Sequence, residues 1–169
     1  MTISLGCVII SNNQREIRMI GIEVIGGIKK DRELADEIVW FCMDVLLPRN
    51  RTTQISVELT KTFEEGAWGF AHQGDDDRDF FIQIDHRLSR RKGIDCFIET
   101  VCHEMIHVWQ LSTKQMKDTI RGGYKQLWKC KDGKYRNYSK APYHKHPWET
   151  QAYAMEGHLA ELFKKEHFS

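Results

Sequence analysis

An α+β fold built on one small mixed sheet is what this sequence predicts, and three observations carry the prediction. Apolar residues recur at helical spacing over 31–47 and again over 94–111. Short runs rich in β-branched and aromatic residues fill the interval between those two helices. A third helical pattern follows Pro147. With 169 residues, 41% of them hydrophobic, the chain has enough apolar surface for one domain, 1–169, with its own core and no need of disulfide staples.

The elements follow in order. ISLGCVII at 3–10 and IRMIGIEVI at 17–25 flank SNNQ, which is turn chemistry, so residues 1–28 predict an N-terminal β-hairpin. After Gly26 and Gly27, Asp31 is placed to cap a helix on which Leu34, Ile38, Phe41, Cys42 and Val45 share a face, and Pro48 ends it. Strands are predicted at Thr53–Thr60, Gly66–His72 and Phe80–Asp85, with the acidic loop GDDDRD before the last. Over 94–111 the apolar set Ile94, Phe97, Ile98, Val101, Met105, Val108 and Trp109 lies on one side of a helix, a pattern that fits burial against a sheet. Between 121 and 140 basic and aromatic residues alternate around Asp132-Gly133, a two-residue turn signal, which predicts a projecting hairpin. The last helix starts at Pro147, with Trp148, Tyr153, Met155, Leu159 and Phe163 among its apolar positions.

Lys and Arg number 25 against 24 Asp and Glu, so no whole-chain field favours nucleic acid or anionic lipid, and a partner has to be argued from a local site. Five cysteines without a C-x-x-C pair cannot all pair within one chain, which fits reduced thiols in a cytoplasmic setting. No segment reads as a signal peptide, and no apolar run approaches the roughly 18 residues of a membrane span.

The chemistry is concentrated in His103-Glu104-Met105-Ile106-His107, an H-E-x-x-H motif. On a helix its two imidazoles sit one turn apart and reach one metal ion, on a face roughly opposite Val101 and Val108. Glu104 lies to the side of the pair, where a general base belongs. Zinc in such a site lowers the pKa of its water toward about 7, while the carboxylate takes the proton and passes it to the leaving amine. A catalytic zinc keeps three protein ligands, and the third is sought downstream among Glu149, His144 and His146. Cys102 adjoins His103 but turns toward the apolar side, as a structural cysteine does.

The motif resembles the gluzincin branch of the zincin metallopeptidases, in which a second helix supplies a glutamate to zinc. That resemblance, with the rigidity of a helix-borne ligand, selects Glu149, so that the metal set is His103, His107 and Glu149 with Glu104 catalytic. It covers roughly residues 31–165, and only H-E-x-x-H is specific. It also implies an edge strand, here Phe80–Asp85, that pairs with an extended peptide substrate. In size and layout the chain is similar to SprT-like proteins and to minimal gluzincins of bacteria, archaea and phages. It departs from the former in having no cysteine-rich zinc ribbon or clear histidine third ligand, and from larger gluzincins in having Tyr153 where an acidic residue often follows the glutamate ligand by one turn. An oxyanion donor is sought at Tyr143 or His146.

The function expected is thus zinc-dependent hydrolysis of a peptide or protein substrate. Two alternatives stand beside it. One is a zincin-like binding or regulatory module without turnover. The other is a nucleic-acid-associated protease that uses the basic hairpin 124–138, a partner that the near-zero total charge does not favour.

Overall fold

A computed structural model describes residues 20–50, 52–61, 67–119 and 123–168. The alternation of Ile55, Val57 and Leu59 with Gln54, Ser56 and Glu58 makes Gln54–Thr60 (β2) a strand that buries one face. Phe80, Ile82 and Ile84 do the same for Asp79–Asp85 (β4). Between them in sequence, Gly69–Gln73 (β3) has no fully buried residue, the mark of a strand at a margin. With Gly21–Gly26 (β1) these form a four-stranded sheet in the order β1-β2-β4-β3. β1 runs parallel to β2, β2 parallel to β4, and β3 antiparallel to β4, with Val57 opposite Ile82 and Ala71 opposite Ile82 on its other side.

The expected role of Phe80–Asp85 as the edge strand is therefore corrected. β4 is interior, and the edges are β3, next to it, and β1. Sequence order cannot reveal that β3 folds back outside β4, but burial follows it: the residues with the strongest apolar alternation take the central place. The strand expected at 66–72 appears as β3, shifted by three residues at its start, and residue 66 lies outside the described residues. Of the N-terminal hairpin, residues 3–10 likewise lie outside them; the described part of its second arm is β1.

The helix Lys29–Leu46 (α1) buries Leu34, Ile38, Phe41 and Cys42 as expected, whereas Val45 is 45% exposed. Asp31 does not cap it. It sits inside the first turn, buried, and accepts a 2.8 Å hydrogen bond from the Ser89 hydroxyl of the short helix Leu88–Lys92 (α2), tying the two together.

Ile94–Ser112 (α3) is the central helix. From Val101 to Val108 every residue is buried, which happens to a helix covered on several sides. The sheet and α1 cover the side that carries Phe97, Ile98, Val101 and Met105; Pro147–His167 (α4) covers the opposite side. Burying one such side chain contributes about 1.5–3 kcal/mol. α4 begins with Pro147 in its first turn and packs through Trp148, Ala152, Leu159, Ala160 and Phe163. Tyr153, one of the apolar positions expected on this helix, is 57% exposed. A 3₁₀ turn, Tyr143–Lys145, leads into it.

The predicted 121–140 hairpin forms strands Lys125–Lys129 (β6) and Tyr135–Asn137 (β7), to which Met116–Thr119 (β5) adds a third, antiparallel strand in the order β5-β6-β7. Its turn is longer than Asp-Gly alone would give. The Cys130 N–H donates to Lys134 O, and Gly133, at φ 78°, closes the Cys130–Gly133 turn in a conformation that favours glycine. The sheet is anchored rather than free-standing: Met116 and Trp128 are buried, and the Trp128 ring lies 6.4 Å from Trp148. Among the described residues no helix is long and apolar enough to cross a membrane.

Candidate metal centre

Where α3 and α4 meet, the polar face of one closes on the first turns of the other. His103 and His107 are 8% and 7% exposed, and their Nε2 atoms face each other at 3.1 Å. Glu149, in the first turn of α4 and 7% exposed, bridges them: Oε2 lies 3.3 Å from His103 Nε2 and Oε1 3.5 Å from His107 Nε2. The three side chains each offer a ligand atom, all within 4.8 Å of one another.

The outer nitrogen of each ring is committed elsewhere. His103 Nδ1 donates to Glu156 Oε2 at 2.5 Å, two helical turns beyond Glu149. Gln110 donates its amide hydrogens to Trp148 O at 3.0 Å and Gln151 Oε1 at 2.9 Å, which leaves its own Oε1 to accept from His107 Nδ1 at 2.9 Å. A proton therefore sits on both Nδ1 atoms, and in the neutral rings both Nε2 atoms turn lone pairs toward the Glu149 carboxylate. Apart from the Tyr143 hydroxyl on Glu149 Oε2, the cluster consists of acceptors, which are costly to bury together, and what it calls for is a cation.

The electrostatics agree. Burial alone would lower His103, yet hydrogen bonds to Glu149 and Glu156 prevail and push it up to about 10. His107 is likewise raised against its burial by Glu149 and Glu104. For Glu149 burial works upward, but the His103, His107 and Tyr143 hydrogen bonds outweigh it and hold the carboxyl well below the usual carboxylate range. Two imidazoles with a carboxylate make a donor set suited to zinc.

Glu104 lies beside this cluster, 4% exposed. Burial raises it to about 7, helped by the nearby Glu149 and Glu156 charges and opposed by His107 and His103. Gly69 of β3 makes room for it: a Cβ there would come within 2.4 Å of Glu104 Oε1. The edge strand thus borders the centre directly.

Of the candidate oxyanion donors, Tyr143 turns its hydroxyl to Glu149 Oε2 at 2.8 Å and is hydrogen-bonded to Tyr153. Its pKa is raised by burial first and by those two contacts next. His146 is occupied elsewhere: Nε2 meets Ala141 O at 2.9 Å, and the ring lies over Trp148 with centroids 4.4 Å apart. His144 stays exposed on the turn before α4. Cys102 is fully buried, its Sγ 3.9 Å from Cys42 Sγ between α1 and α3.

Three residues escaped the sequence reading: Glu156, Gln110 and Tyr153, whose ring lies 4.9 Å from His103. A signal existed for the first two. Glu156 is seven residues after Glu149 and Gln110 three after His107, spacings that put each on the same helical face as the ligand.

What the fold and centre define is a mixed α+β chain with two histidines on one helix and a carboxylate on the next. No protein-family model, no curated protein and no solved structure matches the chain, so its function is argued from the geometry of the centre.

Proposed function

We propose that the chain is a zinc-dependent metallopeptidase whose metal is held by His103, His107 and Glu149. The observation that carries this reading is the convergence of the two Nε2 atoms and both Glu149 oxygens, with each Nδ1 fixed by a separate acceptor. A structural metal site needs no carboxylic acid beside it; a hydrolytic one does, and Glu104 lies buried beside the cluster, next to His103 on the same helix.

Zinc bound there supplies Lewis acidity, which polarises a carbonyl and makes water a nucleophile near neutral pH. The residues of the chain do the rest. Glu104 accepts the proton of the attacking water and returns it to the departing amine. Glu156 and Gln110 hold the imidazoles in the tautomer that presents Nε2. Tyr143 orients Glu149, and Tyr153 stands beside it at the exposed rim of the centre, where a phenolic donor meets an incoming carbonyl oxygen. The element order, with a mixed sheet followed by the H-E-x-x-H helix and a ligand-bearing helix, supports a zincin-like fold. Within it the strand placed to pair with an extended peptide is β3, whose Gly69 touches Glu104.

The test is Glu104→Gln, assayed for bound zinc and for hydrolysis of a denatured-protein substrate. Turnover should fall by a factor on the order of 100 or more while the zinc content is unchanged. Equal hydrolysis by both proteins, or none by the zinc-loaded wild type, would overturn the peptidase reading and leave a metal-binding module.

A further inference from the structure

The near-zero net charge conceals a separation. Residues 113–147 hold ten Lys and Arg against two acidic residues, Asp118 and Asp132, a balance of +8. The rest of the chain holds 15 against 22, a balance of −7. The basic segment is the β5-β6-β7 sheet and its flanks.

The register shows how these charges are displayed. Lys117, Leu127 and Asn137 are partners across the three strands and so share a face. Lys125 and Lys129 lie two residues to either side of Leu127, and Tyr135 is opposite Lys129, so all three join that face. Met116, Trp128 and Arg136 occupy the other face, where Met116 and Trp128 are buried against the body. The lysine face is therefore the outward one. Neither acid of the segment is on it: Asp118 belongs to the inner face, and Asp132 is at the turn, spent on Arg136 at 3.1 Å. Among the described residues Lys125, Lys129, Lys131 and Lys134 have no ion-pair partner.

We propose that this outward face, with the adjoining groove, binds single-stranded nucleic acid. Charge complementarity requires a polyanion, and the aromatic groups choose among polyanions. The Lys117 ammonium lies 4.6 Å over the Tyr135 ring. A groove of about 560 Å³ at the sheet's end is lined by the half-buried Trp109 beside Lys129 and Lys131, with the buried Trp128 as its floor, which sets one indole surface for a base next to ammonium groups for its phosphates. An anionic membrane is the poorer match, because the turn Lys131-Asp132-Gly133 carries no apolar side chain to insert. This inference does not depend on the metal centre.

Fluorescence anisotropy of a labelled oligothymidine of about 15 nucleotides, titrated with the full chain at several salt concentrations, tests it. Wild type should bind, with log K falling linearly against log salt. Lys117→Gln/Lys125→Gln/Lys129→Gln should weaken binding about tenfold or more near 0.1 M salt and flatten the slope by about 2, the loss of three phosphate contacts. Lys29→Gln/Lys30→Gln/Lys165→Gln removes the same charge from exposed positions elsewhere and should leave both quantities unchanged. Circular dichroism confirms that each variant is folded. No binding by wild type, equal weakening by the two triple variants, or equal affinity for polyglutamate or anionic phosphatidylserine vesicles would overturn the proposal.

Discussion

Asp85 at the end of β4 and Glu149 at the start of α4 are both buried carboxylates held ionised, and the difference between them lies in their partners. Asp85 is 1% exposed and shared with one Arg87 guanidinium, which donates from Nε at 2.9 Å and Nη2 at 2.5 Å. That partner is charged at any pH a protein meets, so the pair is closed and its work is structural. Glu149 faces two imidazoles and a phenol, groups that can exchange a proton for a metal ion. A depressed carboxyl pKa therefore marks both a brace and a candidate centre, and only the chemistry of the partner separates them.

Removing the carboxylate at the centre breaks the comparison most sharply. In Glu149→Ala the two Nε2 atoms lose their third companion, and zinc content should drop from about one ion per chain to none detectable after dialysis. Elemental analysis of the purified variant reads this directly. Full retention would move the third ligand to His144 or His146 and remove the reason for treating Glu149 differently from Asp85. Glu156 is a subtler probe, since it touches His103 on the far side of the ring. Glu156→Ala should weaken zinc binding about 10–100-fold in a competition titration against a chelating dye, with Glu156→Gln falling between it and wild type because the amide oxygen still accepts the Nδ1 hydrogen. Unchanged affinity in Glu156→Ala would mean that His103 is oriented by its packing alone.

How much of this was legible in the sequence depends on whether one helix or two had to be known. His103, Glu104 and His107 follow from spacing within α3, and the structure brings Glu149 to them as expected. Glu156 and Gln110 act across the α3–α4 seam, and their contacts appear only once the rotation of one helix against the other is fixed. The long elements were readable because their apolar periods are strong. Strand order was not: the alternation of Phe80, Ile82 and Ile84 is the stronger one, but that β3 folds back to pair on the outer side of β4 is set by tertiary packing. Tyr153 counts among the apolar positions of the last helix by its spacing; its place one turn beyond Glu149 sets it at the exposed rim, beside His103. The charge separation was present in the sequence from the outset, but a whole-chain total averages it away.

The smallest effect expected is on the brace. Asp85 binds its proton near 3.8 in the unfolded chain and at about 2 in the folded one, chiefly because of the Arg87 hydrogen bonds acting against its burial. A group depressed on folding stabilises above its unfolded pKa, so this contribution is complete above about pH 4 and fades as pH falls toward 2. Part of Arg87 is solvated, with 28% of its side chain exposed, which limits the contribution to about 1–2 kcal/mol. Urea unfolding of wild type and Asp85→Asn, both with chelator present so that metal binding does not intervene, should show a stability gap that is constant from pH 6 to 4 and narrows by that amount on the way to pH 2. The corresponding experiment at Glu149 has no such simple window, because its partners change charge as well. A gap for Asp85 that did not narrow would show that the guanidinium holds the carboxylate no more firmly than water does, and that the closed pair is not the source of its ionisation.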